Sequence, residues 1–258
     1  MKPFDCHCHT ERSACAEDVS LEWYREIAAD APCSFAITDH SAHIYFPPDE
    51  KWVFWSEQGR EAYEHHRQWG DEQMEQYIAD VRAAQHGGMY LGIELDIFLD
   101  GTPVCSERYL DEFDMLLGAP HTFPAVQTES PPEQVEAEYK QIVRGLVALD
   151  VHVLAHPFRI LVQKKHPISE DLIKWTVDIC GEHDVALEIN SHYVCHDEDL
   201  AMARIAVAQG AMLAIGTDSH RKNEFGVFTY HHEIADAVGV PAEQLYWQPQ
   251  DVTIQAAR

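Results

Sequence analysis

Side chains that can bind metal ions occur at the ends of several short apolar runs. The first run ends in Asp5-Cys6-His7-Cys8-His9, and because side chains alternate across a β-strand, His7 and His9 face the same way and can bind one ion. The same alternation predicts that Cys6 and Cys8 lie on the opposite face, buried under the helices. Further metal-capable groups end later runs: Thr38-Asp39-His40, Gly92-Ile93-Glu94, Pro120-His121, Ala155-His156-Pro157 and Thr217-Asp218-Ser219-His220. The recurrence predicts a multi-metal active site.

The donor types indicate which ions and which chemistry to expect. Neutral imidazoles with a few carboxylates suit Zn, Mn or Fe better than Ca or Mg, which prefer oxygen. Two or three such ions would activate a water near neutral pH and neutralise charge developing on a phosphoryl group. The pattern therefore favours hydrolysis of a phosphoester.

Other residues are candidates for contact with a phosphorylated substrate. Arg159, three residues after His156, has the guanidinium fork that matches phosphate oxygens and is predicted to be catalytic as well as substrate-binding. Arg12 and His192 are further substrate-binding candidates. His192 and His43 could each donate a proton to the leaving group, and the sequence does not decide between them.

Two residues beside the predicted ligands are expected to act by orientation. Asp39 precedes His40, and Asn190 ends the run Glu188-Ile189-Asn190. Metal-binding histidines usually need such a partner. Asp39, together with His220 and Arg159, completes the predicted catalytic set.

The elements that would position these groups alternate between apolar runs and amphipathic segments, as βα units around a parallel sheet do. Catalytic groups of parallel barrels converge at the C-terminal rim. A distorted (β/α)7 TIM-like barrel is preferred, with an open doubly wound sheet as the alternative. Gly70 is expected to interrupt the longest helix. The predicted strands are 4–9, 34–38, 89–95, 114–118, 151–156, 185–190 and 211–217, and the predicted helices are 20–29, about 56–85, 131–149, 169–183 and 197–209.

The chain, 1–258, is expected to be one domain with an aromatic-rich insertion at about 42–69. The insertion holds seven aromatic rings among acidic residues and a Pro47-Pro48 pair. It is either a helix and loop packed on the barrel or a lid over its mouth, since loops after rim strands often carry specificity.

Composition limits the partners. The formal net charge of -26 opposes nucleic acid and anionic membranes, so a small phosphorylated substrate is expected, bound at a locally electropositive site. Seven cysteines without a repeated spacing do not suggest disulfides. With no signal-like or transmembrane-length apolar stretch, a cytoplasmic location is predicted.

Taken in order, the ligand motifs resemble those of the PHP superfamily, named for polymerase and histidinol phosphatase. The resemblance implies a (β/α)7 barrel with up to three divalent ions. It also suggests the stand-alone histidinol-phosphatase-like branch, and with it histidinol phosphate as a possible substrate. The motifs are His7-x-His9, Thr38-Asp39-His40, Glu94, His121, His156-Pro157 and Asp218-x-His220.

The resemblance also implies how the ligands are shared. One metal would lie among His7, His9, Glu94 and Asp218, and Glu94 would bridge to a second metal held by His121 and His156. A third metal would lie between His40 and His220. Many relatives add a histidine where this chain has Cys15, and because thiolate can replace imidazole on zinc, either Cys15 is a ligand or the third site is weak.

Two other functions remain open. An amidohydrolase-like C–N hydrolase also begins with a His-x-His strand but often bridges its metals with a modified lysine. A non-catalytic metal-binding or regulatory PHP protein would hold metal without turning over a phosphoester. Against the amidohydrolase, Glu94 occupies a suitable bridging place and the lysines fall outside the predicted strand ends: Lys2, Lys51, Lys140, Lys164, Lys165, Lys174 and Lys222.

Overall fold

Seven parallel strands, each paired with the next in the sequence, form a nearly closed barrel in the computed structural model, which describes residues 3–128 and 130–245. An isolated parallel bridge between Cys8 and Ser219 joins the first strand to the last, and Thr217 donates hydrogen bonds to the Asp5 carboxylate. The sequential strand order confirms the (β/α)7 barrel and rules out the doubly wound sheet. The strands are β1 Phe4–Cys8, β2 Ser34–Ile37, β3 Met89–Leu95, β4 Met115–Gly118, β5 Val153–Leu154, β6 Ala186–Asn190 and β7 Leu213–Gly216.

Helices cover the outside of this barrel. Ser20 and Ser169 cap two of them, each side chain accepting a hydrogen bond from a backbone N–H of the first turn. No helix within the described ranges is long and apolar enough to cross a bilayer. The helices are α1 Leu21–Ile27, α2 Ser41–Tyr45, α3 Gly59–Ala84, α4 Pro124–Gln127, α5 Pro132–Val147, α6 Arg159–Gln163, α7 Glu170–Glu182, α8 His196–Gln209, α9 Thr229–Val238 and α10 Ala242–Leu245, with 3-10 turns at Val53–Trp55 and Glu107–Glu112.

The core has two layers, separated by the sheet. Large apolar residues fill the space between strands and helices, for example Phe35, Ile37 and Leu91. The barrel interior is filled by a smaller cluster rich in alanine, including Ala36, Ala186 and Ala214. Small residues let the strands of a seven-stranded barrel approach closely, and they leave the upper interior to polar side chains.

Cys6 does not lie where strict alternation places it. It packs in the interior cluster beside Phe4, whereas Cys8 packs in the outer layer as predicted. Between Asp5 and Cys8 the pairing of β1 with β2 takes one extra residue on β1. An extra residue changes which face the following side chain occupies, so Cys6 and His7 both point inward.

Gly70 does not interrupt the long helix, because α3 runs without a break through it. Its missing side chain serves packing instead: a Cβ there would lie 2.2 Å from Cδ1 of Tyr45, which is fully buried. A glycine inside a helix weakens it modestly, and here close approach of α2 to α3 requires it.

The aromatic-rich segment divides into a buried part and a part at the barrel mouth. Tyr45, Phe54 and Tyr63 are buried against neighbouring elements, which agrees with packing on the barrel. Trp52 and Trp55 lie next to each other, with ring centroids 5.3 Å apart, and both line a cavity at the mouth. Trp52 is 58% exposed.

Candidate metal centre

Glu94, at the C-terminal end of β3, lies at the middle of the converging side chains. Its Oε1 lies 2.8 Å from Nε2 of His156 and 3.1 Å from Nε2 of His121. Its Oε2 faces a different set, at 2.6 Å from His40 Nδ1, 3.4 Å from His7 Nε2 and 3.7 Å from His9 Nε2. A carboxylate whose two oxygens face separate groups of imidazoles has the arrangement of a ligand shared between two ions.

Several donor atoms in this cluster have no hydrogen-bond partner although they are buried. They are His7 Nε2, His40 Nδ1, His121 Nε2 and Glu94 Oε2, whose short contacts with neighbouring groups lack the angles of a hydrogen bond. Leaving one buried polar atom unpaired costs about 1–3 kcal/mol, so four in one place indicate that something else binds there. Each atom is a metal donor type, and groups of three such atoms lie within 4.8 Å of one another. The residues therefore fit divalent transition metal ions.

Carboxylates behind the imidazoles set which ring nitrogen faces inward. His7 Nδ1 lies 2.8 Å from Glu188 Oε1, and His121 Nδ1 lies 2.6 Å from Asp96 Oδ1. An N–H that donates to a carboxylate on one side leaves the other nitrogen unprotonated and able to bind metal. Both rings thus present Nε2 as a ligand.

Asp39 acts on the centre through Ser13. The Ser13 hydroxyl donates to Asp39 Oδ1 at 2.6 Å, so its oxygen can accept from His9 Nδ1 and from the backbone N–H of His40. Asp39 also accepts from the backbone N–H and hydroxyl of Thr10. The carboxylate is therefore engaged with the loop after β1, and His9 is left with Nε2 free toward Asp218 at 2.8 Å.

Two predicted ligands have unusual backbone conformations. His156 has φ of 27° and Asp218 has φ of 50°, a region that non-glycine residues rarely adopt. Hydrogen bonds support both positions: Glu188 Oε2 accepts from His156 N at 2.6 Å, and Asn190 Nδ2 donates to Asp218 Oδ2 at 3.2 Å. Such strain is typical of functional sites, where neighbouring structure holds the residue in place.

Cys15 lies at the rim of the same centre. Its Sγ is 3.0 Å from His220 Nε2, and it groups with His40 and His43 as possible ligands. In His43, Nδ1 accepts from the backbone N–H of Ala14, so the neutral ring carries its proton on Nε2 and serves as a donor. His9, His40 and His220 form a separate compact trio.

The pKa values in the cluster depend on burial, which disfavours charged forms, and on the attraction between its carboxylates and imidazoles. Burial alone would raise the pKa of Glu94, but His40, His121 and His7 hold it well below its ordinary value. Burial disfavours the charged form of His121, yet Glu94 and Asp96 raise its pKa to about 9, so a metal ion that binds Nε2 would displace a proton from this ring. Glu94 therefore stays ionised although it is fully buried.

A cavity of about 290 Å³ opens above these ligands. Arg159 lines it, with Cζ 3.9 Å from the Tyr193 ring centroid and a buried Nε that has no hydrogen-bond partner. Trp52 and Trp55 line it as well. The unsatisfied guanidinium nitrogen gives an anion at the metal centre a place to bind.

The other two predicted substrate contacts are placed differently. Arg12 pairs with Asp80 on α3 at 2.5 Å. His192 stacks on His220 with ring centroids 4.5 Å apart, and its Nδ1 lies 3.5 Å from Glu224. His192 is therefore adjacent to a predicted ligand, whereas Arg12 is bound to the long helix.

Sequence reasoning missed Glu188 and Asp96 as orienting residues. Each carried a usable signal, because Asp96 follows Glu94 by two residues and Glu188 precedes Asn190 by two, which is the period of one strand face. Asn190 donates to both Glu188 and Asp218, which are the contacts that an orienting residue would make.

A parallel barrel with imidazoles and carboxylates gathered at its C-terminal rim defines a class of α/β-barrel proteins that can bind metal ions at the barrel mouth. The chain belongs to the PHP domain family, whose model matches residues 5–192. It is 27% identical over 252 residues to a probable phosphatase from Yersinia enterocolitica, covering 95% of this chain and 89% of that protein. Its fold is similar to that of the crystal structure of a histidinol phosphate phosphatase from Lactococcus lactis, complexed with zinc, L-histidinol and phosphate, with a TM-score of 0.51, 14% sequence identity and coverage of 92% of this chain and 94% of the other.

Proposed function

We propose that this protein is a metal-dependent phosphoesterase that hydrolyses a small phosphorylated metabolite. The observation that carries the proposal is the placement of Glu94, with one oxygen toward His121 and His156 and the other toward His7, His9 and His40. Membership of the PHP family and similarity to a probable phosphatase support it.

The ligand assignment follows the two sides of Glu94. His7, His9, Glu94 and Asp218 would hold one ion, and Glu94, His121 and His156 a second. His40, His220 and Cys15 would hold a third, with sulfur favouring zinc there. Bound ions of this kind supply a nucleophilic water near neutral pH and stabilise the charge that develops on a phosphoryl group.

The chain's own residues position the substrate. Arg159 is proposed to bind phosphate oxygens from the cavity side. Asp39 is a positioning residue, because it orients His9 and His40 through Ser13. His192 stacks on His220 next to the proposed centre, where its ring N–H would be placed to donate to the leaving oxygen.

The proposed substrate is a small phosphorylated metabolite, and one compound can be named for a first test. Histidinol phosphate is a reasonable first compound to test, since the structurally similar L. lactis protein is a histidinol phosphate phosphatase. The C–N hydrolase alternative is disfavoured because a glutamate, Glu94, and no lysine lies at the middle of the cluster. The non-catalytic alternative is an outcome of the experiment below.

The direct test combines metal analysis with turnover. Purified protein is analysed for bound metals, and a panel of phosphomonoesters that includes histidinol phosphate is assayed before and after removal of metal with a chelator. We expect two or three divalent ions per chain and hydrolysis that is lost on chelation and restored by Zn, Mn or Fe.

In Glu94→Gln, metal and activity should fall together, whereas Glu72→Gln, at an exposed position of α3, should retain both. Metal-loaded protein that hydrolyses none of the panel would favour a binding or regulatory protein.

Substitution of Arg159 should change the kinetics in a way that differs from substitution of a metal ligand. Arg159→Ala removes a charge-assisted contact worth about 1.5–3 kcal/mol, so kcat/KM should fall about 10–100-fold. The loss should appear chiefly in KM while the metal content stays that of the wild type, because the residue binds ground state and transition state alike. Arg204→Ala, at an exposed position of α8, is the control. Unchanged kinetics in Arg159→Ala would remove this residue from the proposal.

A further inference from the structure

A second and larger cavity adjoins the mouth cavity. Its volume is about 730 Å³, within the range of small-molecule sites, and it shares Trp55 and Gln127 with the mouth cavity. We call it the aromatic groove, defined by the residues that form its apolar walls: Phe54, Trp55, Ile97, Phe98 and Phe123.

The loops that form the groove walls are continuations of the strands that carry the predicted ligands. β3 delivers Glu94 and continues through Asp96 to the groove residues Ile97 and Phe98. The segment after β4 delivers His121 and continues directly to Phe123. A molecule bound at the metal centre therefore has the groove next to it along two adjacent loops.

The aromatic side chains of the groove are held in place by packing. Phe98 contacts Phe54 edge to face, with ring centroids 5.3 Å apart, and contacts Tyr63 in a tilted arrangement at 5.5 Å. Phe54 contacts Trp55 at 5.6 Å. A preformed wall of this kind favours a flat ring, because edge-to-face and offset contacts between aromatic rings stabilise beyond the area they bury.

Arg60 and the two glutamines that line the groove already have partners. Arg60 lies over the Phe98 ring at 4.6 Å and pairs with Asp100 at 3.3 Å and Glu64 at 3.4 Å. Gln127 donates to the Thr122 hydroxyl and Gln141 donates to the Leu99 carbonyl. With Arg60 and both amides engaged, the apolar walls suit an uncharged ring, and the carboxylate of Glu57, which also lines the groove, disfavours an anionic one.

We propose that the aromatic groove binds the alcohol portion of the phosphoester substrate, and that this portion carries an uncharged aromatic ring. The inference rests on the proposed phosphoesterase activity. It assigns a binding site to the part of the substrate that lies away from the metal centre. The phosphoryl group would lie between the metal ligands and Arg159, and the ring would pass Trp55 to reach Phe98.

The test compares substrates that differ only in the ring. Phenylalkyl phosphates of increasing chain length are assayed against the matching n-alkyl phosphates, so that both leave as primary alcohols of similar acidity. Burial of one ring should raise kcat/KM about tenfold or more at the chain length that reaches the groove, chiefly by lowering KM.

Two variants test whether the preference for a ring-bearing substrate arises in the aromatic groove. Phe98→Ala removes one wall, and Gln141→Trp, at an exposed position of α5, fills the groove without altering the core. In both, the ratio of kcat/KM between phenylalkyl and alkyl phosphates should fall to about one, since the burial that raised it is lost. Arg204→Trp places the same side chain on α8, outside the groove, and should keep the wild-type ratio.

The outcomes separate the groove from the phosphoesterase activity. Hydrolysis of alkyl phosphates with no preference for the ring at any chain length would overturn the groove while the phosphoesterase stands. A preference that survives both variants would also overturn it, because the ring would then bind elsewhere. If no phosphoester is hydrolysed by the metal-loaded protein, the phosphoesterase proposal fails and the groove inference fails with it.

Discussion

Single ring nitrogens decide what this centre can bind. In His7 and His121 the outer nitrogen donates to a carboxylate, so the inner nitrogen faces Glu94 and is the position where a metal ion would replace a proton. Ser13 does the same for His9, using a hydroxyl whose own proton is committed to Asp39. The chemistry of the site thus depends on residues that touch no substrate.

Glu188 is the residue on which this orientation can be tested. It holds His7 through Oε1 and the backbone N–H of His156 through Oε2. Glu188→Gln keeps the shape but can accept only one of these two hydrogen bonds, so we expect metal affinity to fall about 10–100-fold. The measurement is competition with a chromogenic chelator at fixed pH.

The matched control is Glu133→Gln at an exposed position of α5, which should leave the affinity unchanged. Circular dichroism of both variants checks that the fold is retained. Wild-type affinity in folded Glu188→Gln would show that His7 and His156 keep their orientation without this carboxylate.

Secondary-structure elements could be predicted from the sequence where side chains follow the two-residue period of a strand or where strands and helices alternate regularly. Strand alternation placed His7, His9 and Glu94 together, and the βα pattern gave the barrel. Alternation failed at Cys6, because the extra residue in β1 is a property of pairing with β2 and leaves no local sequence signal. The two-residue spacing from Asn190 marks the strand face of Glu188, but its contact with His7 depends on β7 lying between β6 and β1 in the closed barrel, a long-range relation that one strand cannot reveal.

Helix α3 shows how tertiary packing overrides local propensity. Gly70 was expected to break it, yet Gly70 allows Tyr45 to lie against the helix backbone. Tyr45 cannot retreat easily, since its hydroxyl donates to Asp71 at 2.6 Å and accepts from Ser106 N at 2.8 Å. We therefore expect Gly70→Ala to lower the free energy of unfolding by about 1–3 kcal/mol.

Gly181 in α7 is the opposite case and the control for Gly70. A Cβ at Gly181 meets nothing within 4 Å, so Gly181→Ala should raise the free energy of unfolding by about 0.5–1 kcal/mol through helix propensity. Urea denaturation of both variants measures the two changes. Equal effects of the same sign would contradict the packing argument.

Helix α8 carries a buried carboxyl that makes stability depend on pH. Burial raises the pKa of Asp199 from 3.8 to about 8, with help from Glu188 and Glu198 and against the hydrogen bond from Tyr230. Because the folded pKa lies above the unfolded one, the stability this group contributes is complete below pH 3.8 and is lost as pH rises through about 8.

Asp199→Asn should therefore flatten the fall in stability between these two pH values, since the amide stays neutral. The measurement is the urea midpoint at a series of pH values. Asp178→Asn, where Lys174 lowers the pKa of an exposed carboxylate, should leave that fall in place. Parallel profiles for wild type and Asp199→Asn would show that this carboxyl does not carry the pH dependence.

The net charge of the whole molecule repels a phosphorylated substrate at long range. A net charge of -26 surrounds a mouth where Arg159 and Lys164 supply positive charge locally. A phosphate dianion therefore meets repulsion far from the surface and attraction only near the site. The long-range part depends on ionic strength, whereas contacts at the centre are screened much less.

Raising ionic strength from about 0.01 M to about 0.1 M shortens the Debye length from about 30 Å to about 10 Å. We expect kcat/KM for a dianionic phosphomonoester to rise over this range, in a salt whose anion coordinates metals weakly. Arg159→Ala should show the same relative rise from a lower starting value, because it removes a local contact and leaves the distant acidic surface unchanged. A steady fall of kcat/KM with salt in the wild type would mean that the positive charge at the mouth, and not the acidic surface, governs the approach of the substrate.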